Sequence, residues 1–377
     1  MAETTVPSLA ELREVARDPS AVARAWKAGG GKVAGCRCIF VPEEIIWAAG
    51  MLPHPLLGTP EPVRNADAYF QSCSCEFARN LFDLALDGKF DFLDGLALPS
   101  TCEATRRLYD VWVGYKKDVP ALLINNPQKL LEEGSLDFYM EEMRRFRAGV
   151  EALSGRPVTD ESLREAIALY NRTRMLLREI SSLRKKDPPA LTGEEMFDVA
   201  IAASVLPRDR ANDLLGRLLQ EMPHREARGP AGPRVLVTGS VMDNAALIRM
   251  IEEEGGVVVA DDVCTTLKAY WKPVEKNDDP MTALVRSMNA RPLCPCMHPF
   301  EARMDYLVEL IEEYRVDAVV HFTLKYCHTF LFDAPLVRRE LERRGVPATV
   351  LEVGHDLSGL GQIRTRVQAF LEMLESP

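Results

Sequence analysis

Nine cysteines stand out in this chain: Cys36, Cys38, Cys73, Cys75, Cys102, Cys264, Cys294, Cys296 and Cys327. Three C-x-C pairs account for six of them, and none lies between Cys102 and Cys264. The chain is acidic, with 46 Lys and Arg against 56 Asp and Glu, and it opens MAETTVPSLAELREVARD without an apolar h-region. The expectation is therefore a cytoplasmic protein, where a disulfide framework is disfavoured and metal or redox use is the natural role for thiols. Thiolates are the ligands that soft metals and iron–sulfur clusters take. Structural zinc is the poorer match, because its paired cysteines stand a few residues apart and close in sequence, whereas these pairs have one intervening residue and long separations. Any one of them taken alone reads as core filling, since free cysteine is among the most buried side chains. Their placement argues otherwise.

That placement follows from the elements around them. KVAGCRCIF reads as a strand, and PEEIIWAAG as a helix with Pro42 in its first turn and Gly50 at its end. CEFARNLFDLALDGK is helical, FDFLDGLALP a strand, CEATRRLYDVWV a helix and PALLINN a strand. Residues from about 136 to 222 read almost wholly as helix, broken at Ser154-Gly155-Arg156-Pro157 and at Pro188-Pro189. Thr192 and Glu195 form a capping box there. GPAGP, Gly229 to Pro233, is a linker. Alternation then returns with RVLVTGS, NAALIRMIEEEG, VVVADD, FEARMDYLVELIEEY, DAVVHFTL, APLVRRELERRG, PATVLEV and QIRTRVQAFLEML. Strands separated by helices predict parallel sheets. The fold class is α/β: two Rossmann-like lobes with short parallel sheets, joined by a helical segment. The expected boundaries are 1–32 for an N-terminal helical segment, 33–135 for the first lobe, 136–228 for the helical segment and 229–377 for the second lobe.

On this reading Cys36 and Cys38 follow the first strand, Cys102 follows LALPST, Cys264 follows VVVADD and Cys327 follows VVHFTLKY. Ligands of open parallel sheets bind beyond the carboxyl ends of strands, so cysteines far apart in sequence are aimed at comparable edges. Ser100 and Glu103 fit a capping box that places Cys102 in a helix's first turn, where free amides favour a thiolate, and Cys75 opens its helix similarly. Cys36, Cys73 and Cys294 are the weaker halves of their pairs, for which core filling stands.

Other chemistry is sparse. GGGK, Gly29 to Lys32, lacks the first Gly of a P-loop and is followed by Val33, and no GxGxxG, GxSxG or HExxH occurs. His328, beside Cys327, is the best placed histidine. Glu43, like Glu44, is most simply a first-turn acid, although it sits just beyond Cys38. Lys116 and Lys117, candidate basic residues at a ligand cleft, resemble ordinary surface charge. The net charge of −10 argues against nucleic-acid and anionic-membrane binding, and no window of about 18 apolar residues predicts a membrane span.

ADAYFQSCSCEFARN and DFLDGLALPSTCEATRRLYDVW resemble the family of benzoyl-CoA reductase subunits and 2-hydroxyacyl-CoA dehydratase D-components. VPEEIIWAAGMLP, LREAIALYNRTRMLLREI, VVADDVCTTLKAYW, PLCPCMHP, LKYCHTF and GQIRTRVQAFLEML resemble further blocks of that family, so the likeness spans about residues 33 to 375. It implies two Rossmann-like lobes and a 4Fe-4S cluster held by three cysteines, which by position are Cys75, Cys102 and Cys327. It also implies a homologous second subunit or a second copy, a CoA thioester substrate and a separate ATP-hydrolysing activator protein that supplies a low-potential electron. In the dehydratases that electron makes a ketyl radical, which expels the 2-hydroxyl. In the reductases related electron injection reduces an aromatic ring. Glu103 stands where the family usually has Asp.

The extra cysteines leave a second reading open. Cys38, Cys264 and Cys296 resemble positions of a branch that carries an 8Fe-9S double-cubane cluster and reduces small molecules. A third reading, from a different class, is a non-catalytic scaffold or metal store.

Overall fold

Apolar, β-branched runs followed by amphipathic helices give two separate parallel sheets. The computed structural model describes residues 6–130, 132–225, 232–270, 272–276, 279–291, 294–356 and 359–375. In the first sheet β1 (Lys32–Cys36), β2 (Met51–Pro55), β3 (Gly95–Pro99) and β4 (Ala121–Ile124) lie in the order β2-β1-β3-β4. In the second, β5 (Arg234–Gly239), β6 (Val257–Asp262), β7 (Ala318–Leu324) and β8 (Ala348–Val353) lie in the order β6-β5-β7-β8. The two sheets repeat one topology: all strands are parallel, and the strand order switches sides between β1 and β3 in one and between β5 and β7 in the other. Every residue of β3, β5, β6 and β7 is buried. This is why these strands read as near-continuous apolar runs rather than as an alternation.

Helices α1 (Pro7–Arg17) and α2 (Pro19–Ala28) precede β1. The first sheet is covered by α3 (Glu43–Ala48), α4 (Glu76–Leu86) and α5 (Glu103–Tyr115). Four helices follow: α6 (Ser135–Ser154), α7 (Asp160–Ser182), α8 (Gly193–Val205) and α9 (Arg208–Glu221). Leu9 and Leu12 of α1 share one buried cluster with α7, α8 and α9, so the N-terminal helices dock on this helical layer. Around the second sheet lie α10 (Ala246–Glu253), α12 (Phe300–Tyr314), α13 (His328–Arg343) and α14 (Leu360–Glu375), whereas α11 (Pro280–Asn289) packs on α6 and α7 in the buried cluster of the first sheet.

The capping box at Thr192 and Glu195 forms in front of α8, with both hydrogen bonds at 3.1 Å. Three elements depart from the sequence reading. The strand β2 was not anticipated, because MLPHP holds two prolines; it is an edge strand, where a missing amide donor is tolerated. The helix α11 also went unread. The helix α13 begins at His328 and continues through Pro335, where a proline would ordinarily stop it. Of the expected linker at 229–233, residues 229–231 lie outside the described residues.

The carboxyl edges of the two sheets face each other. Arg37, just past β1, pairs with Asp243, past β5, at 3.2 Å. The Gly58 amide donates to the same carboxylate at 2.9 Å, and the His355 amide donates to Glu76 at 2.8 Å. Backbone approach is tight at the end of β5. A Cβ on Gly239 would stand 1.9 Å from the Phe322 carbonyl oxygen, and its φ is +138°. Only glycine meets both conditions. Ser240 can then turn inward, where its hydroxyl accepts the Leu324 amide at 3.1 Å.

His54 on β2 gives the fold an acid-sensitive point. It is 1% exposed, packs edge-on to Phe92 at 5.3 Å, and its Nδ1 has no hydrogen-bond partner. Burial, with the Arg24 charge behind it, pushes the imidazole down to about 4. A depressed histidine contributes stability that is full above its unfolded value of about 6.5 and is lost as pH falls toward 4. His54→Phe is expected to remove about 2–3 kcal/mol of acid sensitivity across that window. Urea midpoints followed from pH 7 to pH 4 test this, and parallel pH profiles for the two proteins would refute it.

Candidate functional site

Three cysteines occupy the same structural position on three different helices. Cys75 is the N-cap of α4, Cys102 the N-cap of α5 and Cys327 the N-cap of α13. Each thiol therefore sits at the positive end of a helix, beside amides that have no partner within the helix. The expected capping box at Ser100 is corrected. Its amide still bonds the Ile124 carbonyl at 2.8 Å, extending the β3–β4 ladder. The helix thus begins at Glu103, and the Glu103 carboxylate turns instead to Arg107 at 2.6 Å.

Cys38 lies two residues past β1, Cys264 two residues past β6, and Cys296 in the loop between α11 and α12. Cys38 has φ 88°, and Tyr326, next to Cys327, has φ 60°. Left-handed backbone at residues other than glycine costs on the order of 1–3 kcal/mol and concentrates at functional sites. In extended backbone Cys36 and Cys38 would share a face. The turn at Cys38 separates them, and Cys36 enters the core 3.9 Å from Glu43.

The sheet edges enclose a cavity of about 430 Å³, lined by Cys38, Cys73, Cys75, Cys102, Cys264, Cys294 and Cys327. Cys296 adjoins it, with Sγ 3.4 Å from Thr329 Oγ1. Much of the remaining wall is apolar, including Tyr69, Phe70, Phe77, Leu98, Leu324 and Phe330. Cys75, Cys102 and Cys327 are thus brought together, and Cys38 and Cys264 face the same space. Sequence reasoning passed over two of the lining thiols, Cys73 and Cys294. The doublet Cys294 and Cys296 lies in a loop, where strand alternation does not apply and both members can face inward.

The thiols interact in donor–acceptor pairs. A hydrogen bond from Cys296, helped by the Thr105 hydroxyl and the amides of Thr105 and Ala104, holds Cys102 down to about 6 despite burial. Cys296 also lowers Cys294, and Cys75 lowers Cys327. The donors themselves are raised, Cys296 chiefly by Cys102 and Cys75 chiefly by Cys327. Burial raises Cys38, and it pushes Cys264 up to about 11 although the Lys268 charge opposes it. So many sulfurs cannot all ionise together unless a polycation replaces the shared protons. Among the described residues no three His, Cys, Asp or Glu side chains form a group able to hold a single metal ion. A cluster asks for something different: each iron takes its own sulfur, so ligands ring a cavity rather than meet at a point. This thiol-rich ring fits an iron–sulfur cluster.

The remaining candidates fall outside the ring or on its rim. His328 lines the cavity, its ring 6.4 Å from Phe332. Glu43 does not line it and pairs with Arg208. Lys116 is engaged by Asp118 at 3.3 Å and Asp91 at 3.6 Å, and neither it nor Lys117 reaches the cavity. Among the described residues no helix is long and apolar enough to cross a membrane.

The family model described as 2-hydroxyglutaryl-CoA dehydratase, D-component, matches residues 38–374, a span holding every cysteine of the cavity. The putative dehydratase subunit YjiM of Escherichia coli (strain K12) is 31% identical over 360 residues, covering 92% of this chain and 93% of that protein. A benzoyl-CoA reductase subunit of Thauera aromatica is 27% identical, covering 94% of each chain. The (R)-phenyllactyl-CoA dehydratase beta subunit of Clostridium sporogenes is 26% identical, covering 92% of each. With thiols at three helix N-caps around one cavity and a match over nearly its whole length, the chain belongs to the 2-hydroxyglutaryl-CoA dehydratase D-component family.

Proposed function

We propose that this chain is the iron–sulfur subunit of a low-potential reductase or dehydratase acting on CoA thioesters, with Cys75, Cys102 and Cys327 as ligands of a 4Fe-4S cluster. The observation that carries this reading is the convergence of those three N-cap thiols on one largely apolar cavity. The substrate class is supported by relatives named as a phenyllactyl-CoA dehydratase subunit and a benzoyl-CoA reductase subunit. A bound cluster supplies one-electron chemistry at low potential and, with three protein ligands, an iron open to a substrate oxygen.

The chain's own residues do the rest. The N-termini of α4, α5 and α13 favour thiolates. Tyr69, Phe70, Phe77 and Phe330 keep water from the reacting acyl group. The cavity has room for that group but not for the whole coenzyme, whose nucleotide end lies outside it. Both of those relatives are named as one subunit of a larger enzyme, which supports a second subunit as partner. The chain carries no nucleotide-binding motif, so a separate ATP-hydrolysing activator delivers the electron, in the cytoplasm.

A second reading is favoured by one observation: Cys38 and Cys264 line the same cavity, and Cys296 stands close enough to Cys102 to lower its thiol. These six thiols suit an 8Fe-9S double-cubane cluster and small-molecule reduction.

Purification without oxygen, followed by iron and acid-labile sulfide determination and assay with 2-hydroxyacyl-CoA and benzoyl-CoA plus an activator, tests the proposal. Bound iron and sulfide with turnover of one thioester is the expected result. A folded protein holding stoichiometric zinc and no sulfide would overturn it in favour of a scaffold or metal store.

A further inference from the structure

A second hollow, of about 70 Å³, lies against the cysteine set and shares Arg37, Cys38 and Cys264 with the large cavity. Its other walls include Glu43 and Glu44 of α3, Tyr170 and Arg174 of α7, Arg208 at the start of α9, and Arg291 after α11. Four guanidinium groups meet here. Arg174 pairs with Glu44, Arg208 with Glu43, and Arg37 with Asp243. Arg291 remains. It is 9% exposed, it donates to the Ile39 carbonyl, and no described carboxylate stands within ion-pair distance of it. Glu44 and Glu43 are the carboxylates that act on it, and both already pair with Arg174 and Arg208, so Arg291 has no counter-charge of its own, which for a buried cation costs several kcal/mol.

Two further donors are available. Tyr170 is 5% exposed and its hydroxyl has no hydrogen-bond partner. Its ring carries the Arg208 guanidinium at 4.7 Å and that of Arg174 at 5.9 Å, and because a guanidinium can only donate, the phenol O–H proton is left without an acceptor. Arg208 Nε is likewise buried and unpartnered. The hollow thus presents unused N–H and O–H donors and one surplus positive charge. At roughly 10–15 Å³ per water it has room for about five water-sized groups. The Glu43 side chain is 27% exposed against 4% for Arg208, so entry is from the Glu43 side.

We propose that this chamber binds a small monovalent anion, of halide to formate size, through Arg291, Arg208 and Tyr170, on the wall formed by Cys38 and Cys264. Its occupancy sets the charge that faces those two cysteines. The site does not depend on which metal centre the large cavity holds.

The test uses the full chain purified without oxygen. Crystals grown in sodium bromide are expected to give an anomalous peak in the chamber that added formate displaces. In solution, sodium formate is expected to raise the melting temperature in a saturable way. Tyr170→Phe, which keeps every charge, should weaken that response about tenfold, the worth of one hydrogen bond to a charged group. Arg291→Met should abolish it and Arg291→Lys should restore part of it. Iron is measured in each variant, so that loss of the metal centre is not read as loss of the anion. A chamber holding only water at high bromide would overturn the proposal, and so would a formate response that is the same in wild type and Tyr170→Phe. If Arg291→Met does not fold, the Tyr170→Phe comparison and the bromide map decide the matter.

Discussion

Cys102→Ala is expected to strip bound iron and thioester turnover together while the chain still folds. The two effects separate because of where the residue sits. Cys102 is only partly buried and makes no side-chain cap bond to the amides of α5. Losing its side chain therefore costs the helix about 0.5–1 kcal/mol at most. The sulfur's own contacts all concern charge: Cys296 and the Thr105 hydroxyl, the latter at 3.1 Å, with the first-turn amides behind them. Nothing else at the start of α5 replaces that ligand, so activity falls to background as iron is lost. Cys36→Ala is the matched control. It removes a sulfur from the core beside Glu43, costing on the order of 1–2 kcal/mol, and leaves iron unchanged. Iron and sulfide per chain, turnover and the melting temperature, measured on both variants, decide the outcome. Full iron in Cys102→Ala would end the assignment of Cys102 as a ligand.

The contrast between those two cysteines also marks what the sequence could and could not disclose. VVVADD and DAVVHFTL are buried on both faces, so composition alone marks them as strands, and Cys264 and Cys327 follow at the edge where ligands bind. Local signals failed where tertiary context overrides them. MLPHP becomes a strand only because β1 is there to pair with, Lys32 opposite Met51 through Cys36 opposite Pro55. Cys294 and Cys296 sit in a loop with no periodicity to orient them. The arginine chamber was invisible, because Glu43, Tyr170, Arg208 and Arg291 come from four separate elements and each looks like an ordinary helix or loop residue. Lys268 was equally hidden: it is buried against Asp262 at 3.1 Å, beneath Cys264 and Cys294, and nothing in TTLKAY sets it apart from a surface lysine.

The double variant Cys264→Ala/Cys296→Ala separates the two cluster readings. With one centre extended over six thiols, it is expected to lose about half of the iron, from near eight per chain to near four, while keeping a cluster at the three N-cap cysteines. The chemistry of the two thiols is the reason. Burial pushes Cys264 up to about 11, and a buried thiol facing a shared cavity stays protonated unless something there takes its proton's place. Lys268, held by Asp262, supplies positive charge on the same side, as does Arg37. Cys296 lowers the thiols of both Cys102 and Cys294, so it joins the N-cap set to the doublet loop rather than standing apart from it. A cluster confined to Cys75, Cys102 and Cys327 would leave Cys38, Cys264 and Cys296 as bystanders. The double variant would then match wild type at about four irons, with an unchanged EPR signal after reduction. Halved iron with a simplified signal instead assigns the six thiols to one extended centre, and it moves the search for substrates from acyl thioesters toward small molecules.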